Sequence, residues 1–316
     1  MDQITPKPIK QFKVVGSRPL RPDGIEKVTG KAIYGADLSA PNMLYGLLFR
    51  INEPHALIEN IDTSIAEKLP GVISIVTFKD FININPENKY NETLENCIAN
   101  EKVLYDGHAV AAVAAVNLNI AKKALKSINV KFKKLPFVIN IEDAMNKDAP
   151  IVAQGKKNEN IPDGFSENVV QYCSFGHGNL QQGFSESDKV IKRTFKTPSV
   201  HQGYIEPHAC LASMSDDGKA DLWCCTQGHY NVRSICSNIF KIDNSQLKVT
   251  ASEIGGGFGG KTTVFIEPIA LALSQKSGRP VKIVMTREEV FKATGPTVSS
   301  LVDVEIGMKK NGKISA

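Results

Sequence analysis

The chain has 316 residues, 42% hydrophobic and 22% charged, enough for about two globular domains and too apolar for general disorder. Its 38 Lys and Arg against 33 Asp and Glu leave a dispersed net charge of +5, which argues against a nucleic-acid surface. The longest apolar run, Ala109 to Val116, is far short of the ~20 residues of a membrane helix, and Met1-Asp2-Gln3-Ile4 opens no apolar leader, so a cytoplasmic protein off the membrane is expected.

Residues 1–22 read as a loose arm. Short apolar runs bounded by Gly, Pro and Asn then predict strands at Ala32-Ile33-Tyr34 and Leu44–Arg50. Asp62-Thr63-Ser64 predicts a cap for a short helix over Ile65–Leu69, stopped by Pro70-Gly71, and Val72–Thr77 predicts the next strand. Ala109–Val116 is continuous enough to be a strand buried on both faces. A helix is expected from Asn119 to Ser127, then an alternating strand over Ile128–Phe132 with Lys131, Lys133 and Lys134 on a solvated edge. These elements make a small α+β domain over 23–138.

The polar, turn-rich stretch 139–166 reads as a linker. In the second region, 167–316, strands are expected at Lys189–Thr194, Ala220–Thr226, Leu247–Ser252 and Val281–Thr286. Helices are expected at Tyr230–Phe240 and from about Thr263 to Ser277. Asp216-Asp217-Gly218 reads as a hairpin turn rather than an acid pair. Asn311-Gly312-Lys313 reads as another hairpin turn, entering a new strand. Cys97, Cys173, Cys210, Cys224, Cys225 and Cys236 form no CxxC pair, and the spacing fits reduced, buried thiols better than a zinc site or a disulfide framework.

The sharpest motif is Gly255-Gly256-Gly257-Phe258-Gly259-Gly260-Lys261-Thr262, between a strand and a helix. Five glycines in six positions leave backbone N–H groups free to face an anion. The letters fit both the dinucleotide fingerprint and the P-loop. Context weighs against each. Only 54 residues follow Thr262, the next strand ends in Arg287-Glu288 rather than Asp, and Glu288 lies 28 residues past Gly260, where about 20 is usual. A P-loop NTPase therefore stands as an alternative, beside a purely structural turn. His201-x6-His208 and His229 flank strands and invite a metal-triad reading, whereas adjacent Cys224 and Cys225 would point to opposite faces of a strand and could not easily share a metal.

Several stretches resemble the molybdenum-binding large subunits of the xanthine dehydrogenase/aldehyde oxidase family, of the bacterial xanthine dehydrogenase type. They are Asp23 through Lys27-Val28-Thr29-Gly30-Lys31-Ala32 to Tyr34, Glu53-Pro54-His55-Ala56, Leu69-Pro70-Gly71-Val72 and Asp106-Gly107-His108-Ala109-Val110-Ala111. Glu206-Pro207-His208-Ala209, Thr226-Gln227, the Gly255–Lys261 loop and Gly278-Arg279-Pro280-Val281 follow in the family's order. The resemblance implies an α+β fold: an α/β hammerhead domain over 23–138, then the first part of a molybdopterin-binding domain over 167–316. It implies a molybdenum hydroxylase that oxidises a purine, a related N-heterocycle or an aldehyde with water-derived oxygen.

The implied cofactor is molybdenum-molybdopterin, its mono- or bis-pterin cytosine dinucleotide form left open. Electrons would leave to [2Fe–2S] and FAD on an iron–sulfur subunit and a FAD subunit. By the same resemblance Gln227, Gly257, Phe258 and Gly259 bind the cofactor, with Gln227 and Phe258 near the molybdenum without being strong ligands. Glu206, followed by Pro207, would order a loop around the cofactor site, the alternative being a helix- or turn-capping carboxylate. Thr262 is a substrate-pocket candidate, standing where vertebrate-type members have Glu; the alternative is that it caps a helix starting at Thr263. The family's Arg-His pair after Arg287-Glu288-Glu289 is replaced by Thr294-Gly295-Pro296-Thr297. No catalytic residue is expected in this portion, since the general base would lie in a C-terminal molybdenum-subunit half. A fragment, a split subunit, or a truncated chain that only binds partner subunits would each fit that absence.

Overall fold

The computed structural model describes residues 12–85, 88–152 and 161–316. The expected arm up to residue 11 and linker residues 153–160 lie outside the described residues. Of the described residues, 12–33 form one compact unit and those from Tyr34 to Ala316 another. In the first, helix α1 (Gly24–Val28) closes on the Thr29 N–H, which donates to Ile25 O at 3.0 Å.

In the second unit the chain runs β1 (Leu44–Ile51), β2 (Ala56–Asp62), α2 (Ser64–Glu67), β3 (Val72–Thr77), α3 (Phe78–Ile84), α4 (Asn91–Cys97), β4 (Lys102–Val103), β5 (His108–Ala115), α5 (Leu118–Ser127), β6 (Asn129–Lys134) and α6 (Ile141–Met145). It continues through α7 (Leu180–Ser185), β7 (Lys189–Thr197), β8 (Ala209–Met214), β9 (Ala220–Cys224), α8 (His229–Ile239), β10 (Leu247–Ala251), α9 (Glu267–Ser277), β11 (Val281–Val284), α10 (Arg287–Ala293) and β12 (Ser300–Met308).

One seven-stranded mixed sheet, ordered β10-β9-β8-β11-β1-β5-β3, carries the core. Its centre is the parallel pairing of β1 with β11, Leu44 opposite Val281. Strands from before residue 138 and from after residue 167 thus share one sheet, and the linker divides the chain but not the sheet. β5 is buried along its whole length, as its unbroken Ala/Val run predicts. Ala112 and Ala114 face the cluster of Val232, Ile269 and Leu273, while Ala111 and Val113 face Ala66, Ala124 and Ile128. Alternation across one strand therefore supplies both layers. A second sheet, β4-β2-β6, leaves Lys131, Lys133 and Lys134 exposed on its edge strand, and a two-stranded ribbon joins β7 to β12.

α9 is the buried helix behind the loop. Its residues Glu267 to Ser274 are all buried, and burying each Ile or Leu among them contributes about 1.5–3 kcal/mol. Gly278 ends it in the left-handed conformation at φ 63°. The helix starts at Glu267 rather than at the expected Thr263. The reason is local: Glu267 Oε2 accepts the Phe265 and Ile266 N–H groups at 2.8 and 3.1 Å, capping the turn with a side chain inside it. Asn117, not Asn119, opens α5, its side chain accepting from Ile120 N at 2.9 Å. The expected strand at Ala32–Tyr34 reduces to one bridge of Tyr34 to Glu253. The turn at Ser215–Lys219 joins β8 to β9, with Gly218 N donating to Ser215 O at 3.0 Å.

Candidate functional site

The glycine loop leaves β10 and reaches α9 across the end of the sheet, and two side chains from other segments hold it. The first is Glu206, buried just before β8. Its Oε2 accepts the Lys261 ammonium at 2.7 Å and the Gly255 N–H at 2.8 Å, and its Oε1 accepts Gly35 N at 3.2 Å. Lys261 is fully buried and its ammonium also stands 4.8 Å from the centre of the Tyr204 ring. This corrects the P-loop reading. A phosphate-binding lysine reaches outward past its loop, whereas this one is turned inward onto a carboxylate.

The second is Gln227, just beyond β9. Its backbone N–H donates to Lys261 O at 2.8 Å, and Thr226 Oγ1 donates to the same oxygen at 3.1 Å. Its side-chain Oε1 accepts from Gly259 N at 3.1 Å and from Lys261 N at 3.3 Å. A Cβ on Gly257 would collide with the Gln227 amide, so glycine is required there for the amide to lie against the loop. Both lone pairs of Oε1 being used, the orientation of the amide is set and its NH2 is the side left to donate to something else.

The loop's outer surface is open. Phe258 adopts φ 50° and leaves its ring 74% exposed, so it is not packed in the core. Gly259, at φ 86°, would have nothing within 4 Å of a Cβ. Thr262 is exposed and its hydroxyl donates to Gly259 O at 3.2 Å. It cannot cap a helix at Thr263, because α9 begins at Glu267. The structure thus brings Gln227, Gly257, Phe258, Gly259 and Thr262 to one loop, with Glu206 beneath it.

The three histidines do not share a metal-binding point: two of them join one hydroxyl network and the third lies apart. His201 Nε2 meets Thr294 Oγ1 at 3.0 Å, His208 Nε2 meets the Tyr204 hydroxyl at 2.8 Å, and His229 lies beside the Tyr230 ring. Among the described residues no group of His, Cys, Asp and Glu could hold a metal ion. Cys210 and Cys224 face each other across β8 and β9, and Cys225 Sγ accepts Ala209 N at 3.2 Å. Burial pushes the Cys225 thiol up to about 11 and raises those of Cys210 and Cys224 as well, so all three stay protonated. The residues fit a metal held by its own organic ligand: an uncharged amide donor beside an open glycine surface.

The family model for the aldehyde oxidase and xanthine dehydrogenase a/b hammerhead domain matches residues 29–136, and that for the molybdopterin cofactor-binding domain matches 161–316. The chain belongs to the xanthine dehydrogenase/aldehyde oxidase family. Its α+β fold is a hammerhead domain joined to part of a molybdopterin-binding domain. Within the family it is 34% identical over 299 residues to a probable xanthine dehydrogenase subunit of Bacillus subtilis (strain 168), covering 94% of this chain and 38% of that one. It is 28% identical over 309 residues to the nicotinate dehydrogenase large molybdopterin subunit of Eubacterium barkeri, covering 97% and 69%. Quinoline 2-oxidoreductase from Pseudomonas putida 86 superposes with a TM-score of 0.79 at 25% identity, over 95% of this chain and 38% of that chain. The chain thus spans about 38% of the length of the Bacillus relative.

Tyr204 and Thr294 were not legible as site residues.

Proposed function

We propose that this chain is the N-terminal portion of the molybdenum-binding subunit of a xanthine dehydrogenase-type hydroxylase. Its hammerhead domain spans 23–138 and its molybdopterin-binding part spans 167–316. The substrate class is a purine, a related N-heterocycle or an aldehyde. A C-terminal molybdenum-subunit half, an iron–sulfur subunit and a FAD subunit complete the enzyme, in the cytoplasm. Free, mostly buried cysteines support the reducing location.

The observation that carries the reading is the Gln227 amide. Two loop N–H groups fix its oxygen, so its NH2 is aimed without the cost of ordering it during the reaction. When bound, molybdenum in its pterin supplies two-electron redox chemistry with water as the oxygen source. Gln227 Nε2 would donate to an oxygen of that group without adding charge. Gly257 and Gly259 would let the group approach the backbone, and the exposed Phe258 ring would shield it from water. Thr262, at the end of the same loop, would present a neutral hydroxyl oxygen to the substrate. The general base would come from the C-terminal half.

The test is the metal and pterin content of the complex that this chain forms in its own cell. Molybdenum and a pterin nucleotide in equal amounts are expected. A complex free of molybdenum, or one that binds and hydrolyses nucleoside triphosphate, would overturn the reading.

A further inference from the structure

We propose that Tyr204 is a positioning residue for the glycine loop: its Cβ lies under Gly256 and its ring under Gly260, and its hydroxyl anchors that floor. This rests on the reading of the loop as the face that meets the cofactor. Tyr204 is 1% exposed. A Cβ on Gly256 would meet Tyr204 Cβ at 3.1 Å, and one on Gly260 would meet Tyr204 Cε1 at 2.8 Å, so the backbone touches this residue at two separate points. The Lys261 ammonium stands over the same ring. From the other side Arg287 holds the main chain, donating from Nη1 to Tyr204 O at 2.9 Å and from Nη2 to Ile205 O.

The hydroxyl sits in a chain of donors that runs one way. Thr294 Oγ1 gives its proton to Val290 O at 2.7 Å, so it accepts from the Tyr204 hydroxyl at 3.0 Å. Tyr204, having spent its own proton, accepts from His208 Nε2 at 2.8 Å. His208 is then the neutral tautomer with its proton on Nε2 and a bare Nδ1. That Nδ1 is the ring atom left buried without a partner, which fits an unprotonated nitrogen better than an unpaired donor. Burial holds the His208 pKa down at about 3, so the direction of the chain does not reverse near neutrality. His201 Nε2 gives a second donor to Thr294 at 3.0 Å.

The ring height set in this way places Gly259 N and Lys261 N, the two donors that hold Gln227 Oε1. Packing alone would need only a phenylalanine. The anchored hydroxyl is what makes the height specific.

The experiment is amide hydrogen exchange on the full chain, purified with its natural subunits. It is followed by mass spectrometry in a peptide spanning 255–263 and in a reference peptide spanning 108–115. Tyr204→Phe keeps the ring and removes the anchor. Thr294→Val removes the acceptor at a distance from the loop and serves if the first variant folds poorly. Each should speed exchange in 255–263 about tenfold and leave 108–115 unchanged. No change in the loop peptide, or an equal rise in both peptides, overturns the proposal. Turnover of Gln227→Ala, measured alongside, decides the reading of the site separately. A loop loosened by Tyr204→Phe in a complex that lacks molybdenum would leave the positioning role standing and the cofactor reading refuted, and a fully active Gln227→Ala would refute the amide's part in it.

Discussion

Lys261 Nζ and Glu206 Oε2 lie 2.7 Å apart, with the lysine side chain wholly shielded from water and the glutamate 7% exposed. The pair is completed by backbone: the same carboxylate takes Gly255 N and Gly35 N. Desolvating both charges is expensive, and only this full set of donors offsets it. Lys261→Met should therefore cost about 3–5 kcal/mol, because Glu206 would be left as an unpaired buried charge. Lys261→Met combined with Glu206→Gln should recover a substantial part of that loss. Denaturant unfolding of the two single variants and the double variant checks this, and strictly additive losses would count against the coupling.

Gln227 separates two roles in one side chain. Gln227→Glu retains an oxygen for Gly259 N and Lys261 N but removes the NH2 donor. Turnover should fall by about 10²-fold or more, with the unfolding midpoint and molybdenum content close to those of the parent. Gln227→Ala should give a similar rate loss. If Gln227→Glu turns over at the parental rate, the amide is a loop brace and nothing more.

Thr262 places a neutral hydroxyl at the end of the glycine loop, where we propose that it faces the substrate. Thr262→Glu should raise the ratio of kcat/KM for xanthine over nicotinate, since a carboxylate can accept a ring proton or balance charge and a hydroxyl cannot do so equally. Steady-state kinetics on hypoxanthine, xanthine and nicotinate in the assembled complex measures the ratio. An unmoved ratio would remove Thr262 from the pocket.

His108 makes stability depend on pH. It is buried beside β1, with Nε2 on Glu95 O at 2.6 Å and Nδ1 accepting Leu104 N at 3.2 Å, a pattern that requires the neutral ring. Burial lowers its pKa to about 4 against an ordinary 6.5. The unfolded chain therefore binds the extra proton first. Stability is full above pH 6.5 and declines as pH falls toward 4, by up to about 3 kcal/mol from this residue. His108→Gln should flatten that part of the profile. Unfolding free energies measured from pH 7.5 to 4.5 would show an unchanged slope if another group were responsible.

Much of the fold was legible because it depended on local pattern. The Ala109–Val116 run reads as a doubly buried strand, which holds through Ala115 while Val116 lies exposed past its end, and the Asp216-Asp217-Gly218 turn and the lysine edge of β6 follow from the same kind of reasoning. α10 is legible too, in the Thr286 to Glu289 capping box whose N–H and hydroxyl bonds the structure shows. The site was legible only in part. The letters Gly255 to Thr262 fit a phosphate loop as well as they fit the observed one. What separates the two is the direction of Lys261, and that depends on a carboxylate 55 positions earlier. The start of α9 differs from the expected Thr263 for a similar reason: Glu267 folds back on its own turn, which no periodicity records.

The pairing of β1 with β11 has a consequence for synthesis. Leu44 meets Val281, so the strand that begins the sheet waits for one made about 240 residues later. At ribosomal rates of roughly 5–20 residues per second, the β1 edge stays bare for on the order of ten to fifty seconds, bounded on its other side by the apolar β5. A nascent chain in that interval presents an open, Leu- and Phe-bearing strand edge, the kind of surface that recruits chaperones or a second copy of itself.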